Sequence, residues 1–436
     1  MSAAPHRPLR IALTTVGYPP DKASAGIGTY TKALATGLSE CGHRVHVLAR
    51  SHGADSVERC GSLIIHRLSP GHPRVPKHIH SLSLARFAVT QLAGEWVYRV
   101  KLARRLERLI EQERIEVIET PDAFAEGLLF PRHKYPKVPF IVKMHGPLCV
   151  YELFDKNLPE WARRFMFRLE RRLLLKATHV TVPSQTAGEV FRREMDLKFV
   201  PWTLPNPPPI VNAPNGAGES EDPNLVLFVG RIAPVKGIHV LIEAIPRILD
   251  VQPDTRFVIA GGEAAADHRF DASKRSLLAK LPEPCQAAVS FTGHLSPDAV
   301  VEYYKRASVC VLPSLFDTFA YTCLEAMNYG RAVVGSCNSG MRELLDDGRA
   351  GLLYTPPDAV ELASQIVRLL REPRLRLKLG DRARERALAE FGKERTLDRT
   401  LEFYYRAVTE LRTLGQERRA TRQSPAHHCN VNPPSR

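Results

Sequence analysis

Two cations and two carboxylates, each pair held at a short spacing, are the residues of this chain best placed to do chemistry. The first pair lies in GRIAPVKG, residues 230–237, where Arg231 and Lys236 stand five apart directly after the apolar run Leu225–Gly230. A strand, a turn of this kind and a following helix put both cations at the carboxyl end of a sheet, where open α/β sheets take their ligands. A helix amino terminus favours anions, and two added cations suit a diphosphate better than a monoanion. An isolated Arg-x4-Lys also describes two exposed basic residues on a turn, so the reading needs a second group.

The segment PSLFDTFAYTCLEAMNYG, residues 313–330, supplies that group. It follows a strand-like run, enters a short helix ending at Gly330, and carries Asp317 and Glu325 eight apart. The amides of Phe319, Ala320, Tyr321 and Thr322 then face the same sheet edge and suit phosphate oxygens. Glu325 can accept hydrogen bonds from vicinal hydroxyls such as those of a ribose. Thr322-x-x-Glu325 also satisfies a capping box, in which Glu325 serves only its own helix. The residues alone weigh these two readings evenly.

The first half offers thinner signals. Ala25-Gly26-Ile27-Gly28 opens a helix after a Pro-rich loop, so bare backbone at Gly26 and Gly28 can approach a phosphate; a flexible turn is the alternative. His145, in KMHG, follows the strand-like run Phe140–Val142 and sits at a carboxyl end facing an interdomain cleft. Most isolated histidines are structural.

These residues need sheets to position them, and the pattern provides two. Apolar strand-like runs alternate with helical periodicity throughout, the mark of wound α/β layers. One series starts at Ile11–Thr15, with a helix over 28–41, the strand Arg44–Leu48, and strands near Val117, Phe140 and Val180. A second starts at Leu225 and continues near Phe257–Ala260, Val289–Thr292, Val309–Leu312 and Ala332–Gly335. The expected organisation is a first domain over 1–204, a Pro/Asn-rich linker over 205–224, and a second domain over 225–390. A closing helix over 391–414 and an unstructured tail over 415–436 complete it, the tail holding His427, His428 and Cys429. Periodicity reads as one helical stretch over 359–390.

Composition bounds the function. The chain has 436 residues, 44% hydrophobic and 25% charged, enough for two α/β domains and unlike a disordered or fibrous chain. The longest uncharged run, 199–218, is interrupted by six prolines and is a poor membrane span. The start MSAAPHRPLR lacks a secretory apolar stretch and the eight cysteines form no CxxC pair, which predicts a reduced cytoplasm. Residues 1–205 carry 31 Lys and Arg against 19 Asp and Glu, so the basic excess belongs to the first half. WARRFMFRLERRLLLK, residues 161–176, is either an amphipathic helix packed on the sheet, the simpler reading, or a peripheral contact with an anionic bilayer.

Taken in order, GRIAPVKG (230–237), FVIAGG (257–262), FTGHLS (291–296), PSLFDTFAYTCLEAMNYG (313–330) and SGMRELLDDGRAGLL (339–353) resemble glycosyltransferase family 4. The resemblance spans nearly all of residues 9–410. It implies the α/β GT-B fold, two Rossmann-like domains facing across a cleft, and retaining hexosyl transfer from a nucleotide-sugar co-substrate. The implied acceptor is a glycan, a lipid-linked sugar or a small molecule, and the implied setting polysaccharide or glycoconjugate synthesis. Arg231 and Lys236 then grip the donor diphosphate, Glu325 the ribose, and Asp317 stands where the family usually has a Glu at the donor sugar. The family's E-x7-E is therefore D-x7-E. Ala320 replaces a common Gly, and Ala25 the first of two glycines, leaving Gly26 and Gly28. His145 is implied as a contact to the donor sugar.

No Asp-x-Asp occurs, so a metal-independent reaction without cofactor is expected. A nicotinamide oxidoreductase shares the architecture but needs G-x-G-x-x-G after the first strand, which is missing. A same-fold epimerase or sugar phosphorylase remains an alternative. Nucleic acid is not expected as a partner, because the basic residues lack interleaved aromatic platforms.

Overall fold

The computed structural model describes residues 7–20, 26–51, 53–70, 83–155, 158–209, 221–262 and 267–423. The first domain holds strands β1 (Arg10–Thr15), β2 (Arg44–Arg50), β3 (Ser56–Cys60), β4 (Leu63–Leu68), β5 (Val117–Pro121), β6 (Phe140–Lys143), β7 (His179–Val182) and β8 (Trp202–Thr203). Their order is β3-β4-β2-β1-β5-β6-β7-β8, parallel except for β3 against β4. The second domain holds β9 (Leu225–Val229), β10 (Arg256–Ala260), β11 (Val289–Gly293), β12 (Val309–Leu312), β13 (Ala332–Ser336) and β14 (Leu352–Tyr354). Here the order is β11-β10-β9-β12-β13-β14, all pairs parallel.

Both sheets reverse winding direction once, between β1 and β5 and between β9 and β12. At such a point the flanking helices diverge and leave a crevice at the carboxyl ends. Strands such as LVLFV and VCVL are apolar throughout because helices cover both faces of a parallel sheet. The two-fold expectation of wound sheets therefore holds. The β3–β4 hairpin escaped the periodicity. It turns through Gly61-Ser62, with Gly61 at φ 63°, and β3 is exposed along its length, so no apolar alternation announces it.

Two helical expectations need correction. The stretch 359–390 is two helices, Ala359–Arg371 and Pro373–Phe391, because Pro373 has no amide to donate and fits only a first helical turn. The closing helix runs Lys393–Gln423 rather than stopping at 414. QERRATRQ is built mostly of good helix formers, and extending an existing helix avoids the cost of nucleation. Residues 424–436, with His427, His428 and Cys429, lie outside the described residues, as does 210–220 of the linker.

The closing helix returns to the first domain. Leu397 enters the first-domain core so closely that a Cβ on Gly37 would lie 2.5 Å from its Cδ1. Lys393 pairs with Glu40, and Glu410 bonds His179 Nε2 at 3.0 Å. The helix Glu160–Lys176 buries Leu169, Leu173 and Leu174 on the same domain, while Arg163 and Arg164 bond Glu160 of their own first turn. Among the described residues no helix is long and apolar enough to cross a membrane.

Candidate active site

The carboxyl-end face of the second sheet is shaped by two loops, the turn after β9 and the segment after β12. Gly237 ends the turn after β9 at φ 66°, and a Cβ there would lie 1.8 Å from Pro313 O. Only glycine lets the Arg231–Lys236 turn seat against the segment after β12. That seating puts Lys236 Nζ 2.5 Å from Asp317 Oδ2, with Asp317 buried. Arg231 is exposed and pairs with no carboxylate among the described residues.

Asp317 is held by more than Lys236. Its Oδ1 accepts the Phe319 amide at 3.3 Å and its carbonyl accepts the Gly340 amide at 2.9 Å. The Phe319 amide is thus turned inward by a local side-chain-to-backbone turn, leaving Ala320, Tyr321 and Thr322 as the amides at the helix start. The Phe319 ring packs at 5.6 Å on Tyr321 and at 6.1 Å on Phe391.

The helix Tyr321–Asn328 has Ala320 as its N-cap, with no side-chain cap. Thr322 is therefore inside the helix, and the capping box that the spacing allowed does not form. Glu325 instead accepts Tyr304 Oη at Oε2, 2.9 Å away, while Oε1 bonds no described residue and is not sealed from solvent. Burial pushes the Glu325 carboxyl up to about 7, against a smaller lowering by the Tyr304 hydroxyl. One oxygen is fixed and the other is free to accept.

On the first domain, His145 is anchored through its backbone. Its amide and that of Gly146 donate to Asp122 Oδ1 and Oδ2, at 2.9 and 3.1 Å. Burial raises the Asp122 carboxyl to about 6 although these amides oppose the shift. The His145 ring stands edge-on to Tyr30, centroids 4.5 Å apart. Burial, assisted by the Lys143 ammonium, holds the imidazole well below its ordinary value, so it is neutral at pH 7. Gly26 opens the helix Gly26–Glu40, with nothing within 4 Å of a built Cβ, and Gly28 is buried one turn before Thr31.

Behind His145 lies a network the motifs did not reveal. Glu119 accepts Tyr30 Oη at 2.7 Å and Tyr404 Oη at 2.8 Å, joining the first domain to the closing helix. Buried Lys143 bonds Leu204 O and stands 5.4 Å from the Tyr30 ring centre; burial lowers it to about 8. Burial likewise raises Glu119. A signal was present: VIETP and FIVK each put one charge into an apolar strand, and a buried charge requires a partner. Which partner it finds is a tertiary fact.

The two domains meet at this site. Thr318 Oγ1 donates to His145 O at 3.0 Å, and Ser184 Oγ donates to Thr318 O at 2.8 Å. His145 and Asp317, far apart in sequence, are thereby one residue's reach from each other. Glu343 accepts the amides of Gln185 and Thr186 at 2.9 and 2.7 Å, capping a first-domain helix from the second domain. Phe316 inserts among Tyr151, Phe154 and Phe191, at 5.7 to 5.8 Å. Among the described residues no three His, Cys, Asp or Glu side chains group to hold a metal ion.

Two Rossmann-like domains face to face, with Arg231 and Lys236 at the carboxyl ends of the second sheet, have the GT-B architecture. The chain belongs to the family 4 type: residues 25–207 match the glycosyl transferase 4-like domain and residues 212–386 the glycosyl transferases group 1 family. It is 24% identical over 412 residues to an uncharacterized glycosyltransferase of Methanocaldococcus jannaschii, covering 91% of this chain and 98% of that one. Sucrose-phosphate synthase from Thermosynechococcus elongatus shares the fold with a TM-score of 0.71 at 23% identity, over 92% of this chain and 100% of the other. Anabaena HepE, solved in complex with UDP-glucose, shares it at 0.63 and 16%, over 91% and 99%.

Proposed function

We propose that this glycosyltransferase takes a hexosyl group from a nucleoside-diphosphate sugar on its second domain and passes it, with retention, to an acceptor on its first. The acceptor class is a glycan, a lipid-linked sugar or a small molecule, in polysaccharide or glycoconjugate synthesis. The observation that supports the reading is that the Arg231–Lys236 turn after β9 seats against the segment after β12 that bears Asp317, the Ala320–Thr322 amides and Glu325, through Gly237 on Pro313 and Lys236 on Asp317. Arg231 and Lys236 hold the donor diphosphate and, with the amides, stabilise the charge that grows on it as it leaves, an electrostatic role that needs no metal. Glu325 Oε1 accepts from the ribose. Asp317 and neutral His145 flank the transferred sugar, and the leaving phosphate takes the acceptor's proton on the same face. HepE's UDP-glucose is consistent with a nucleotide-sugar donor for this chain.

A screen of nucleotide sugars for protection against thermal unfolding tests this, since a ligand of the native state raises stability by mass action. A nucleoside-diphosphate sugar should raise the melting temperature. No protection by any of them, at millimolar concentration, sinks the reading. Turnover without added acceptor would mark an epimerase instead, and release of sugar 1-phosphate a phosphorylase.

A further inference from the structure

A groove of about 930 Å3 opens between the β3–β4 hairpin and the helix Ser83–Glu113, and none of its lining residues belongs to the site above. Val57, Trp96, Val97 and Val100 line it and are exposed, although large and apolar. Five cations, Arg67, Lys101, Arg104, Arg105 and Arg108, share the lining with one carboxylate, Asp55. Lys101 is paired to Asp55 at 2.5 Å, and Arg105 donates to His66 Nδ1 at 2.9 Å. Arg104 and Arg108 lie one helical turn apart, exposed, with no carboxylate partner among the described residues.

An occupant must therefore bring anions and aliphatic matter together. A second copy of this chain would set the same guanidinium groups against these, which repels. Nucleic acid would neutralise the cations and leave three valines uncovered. The helix brings the apolar residues 96, 97 and 100 and the cations 101, 104, 105 and 108 to the same groove. A phospholipid offers both an acyl chain and a phosphate, with tryptophan favoured at their boundary.

We propose that this groove docks the enzyme on an anionic phospholipid bilayer, Trp96, Val97, Val100 and Val57 meeting acyl chains and Arg104 and Arg108 meeting lipid phosphates. The groove is a different surface from the helix Glu160–Lys176, whose Arg163 and Arg164 are bonded to Glu160. The proposal stands apart from the transfer reading because binding, not turnover, is measured.

The test is cosedimentation of the full chain with vesicles of equal phosphatidylglycerol and phosphatidylcholine, beside phosphatidylcholine alone. Binding is expected on the anionic vesicles only, and should weaken as salt rises. The double variant Arg104→Glu/Arg108→Glu should partition about tenfold or more weaker, and Trp96→Ser should also lose binding. Arg163→Glu/Arg164→Glu should bind as the parent does, and unchanged melting temperatures would show that the groove variants fold. Equal binding to neutral vesicles, or loss through Arg163 and Arg164 instead, overturns the proposal. So does protection of the chain by inorganic phosphate without vesicles, which would mark a free-phosphate site, or a groove-dependent dimer.

Discussion

Lys236 Nζ and Asp317 Oδ2 are 2.5 Å apart, and each comes from a different loop of the second domain. The cation expected at the donor diphosphate and the carboxylate expected at the donor sugar thus neutralise one another. An aspartate at 317 reaches this lysine while its second oxygen holds the Phe319 amide.

Replacing either partner should have opposite effects on donor binding. Asp317→Ala should keep or strengthen nucleoside-diphosphate affinity, because Lys236 is released to the phosphates, and should abolish transfer. Lys236→Ala should weaken that affinity about tenfold or more, a charge-assisted hydrogen bond being worth about 1.5–3 kcal/mol, and should also destabilise the fold by leaving Asp317 buried and unpaired. Arg231→Ala should weaken binding with little change in melting temperature, since Arg231 abandons no ion-pair partner among the described residues. Calorimetric titration beside melting curves separates the three. Unaltered affinity in both Arg231→Ala and Lys236→Ala would remove the donor assignment.

Glu325 links affinity to pH. A carboxyl raised from 4.5 to about 7 holds its proton more tightly in the folded chain than in the unfolded one. Its contribution to stability is therefore full below about pH 4.5 and lost as pH rises through about 7. Glu325→Gln keeps an acceptor for Tyr304 and removes the buried charge. At pH 8 it should melt above the parent, the gain shrinking toward pH 5, while nucleoside-diphosphate affinity falls. Equal affinity in parent and variant would show that the free oxygen does not serve the ribose.

Glu343 tests whether the domains are held closed by the contacts described. Glu343→Ala removes the acceptor of the Gln185 and Thr186 amides and should cost about 0.5–2 kcal/mol, the usual value of a lost helix cap. Its ligand-free radius of gyration in solution scattering should rise and return when donor nucleotide is added. A variant as compact and as stable as the parent would refute the clasp.

Transfer should survive exhaustive chelation, because the charge on the leaving diphosphate falls to Arg231, Lys236 and the helix amides. Assay of transfer after EDTA and desalting decides it. Complete loss, restored by magnesium or manganese, would overturn that view.

The loops at the carboxyl ends of the second sheet were legible because their signals are local. A strand, a glycine turn and a helix start dictate where Arg231 and Lys236 fall, and the same grammar places Asp317 and the Ala320–Thr322 amides. Spacing could not exclude the cap for Glu325, since that rests on where the helix starts and on Tyr304, which lies on the preceding helix. Nor could it show the Phe319 amide turning inward or the helix dividing at Pro373.

Two wound sheets, their carboxyl ends and the residues set there can be read from the chain alone, because periodicity and turn chemistry act within a few residues. That Thr318 meets His145, that Glu119 joins Tyr30 to Tyr404 and that Lys236 closes on Asp317 emerges with the packing. Those partners are fixed by how whole domains pack. A buried polar group announces that it needs a partner, and nothing in its neighbours along the chain says which distant residue the fold will bring to it.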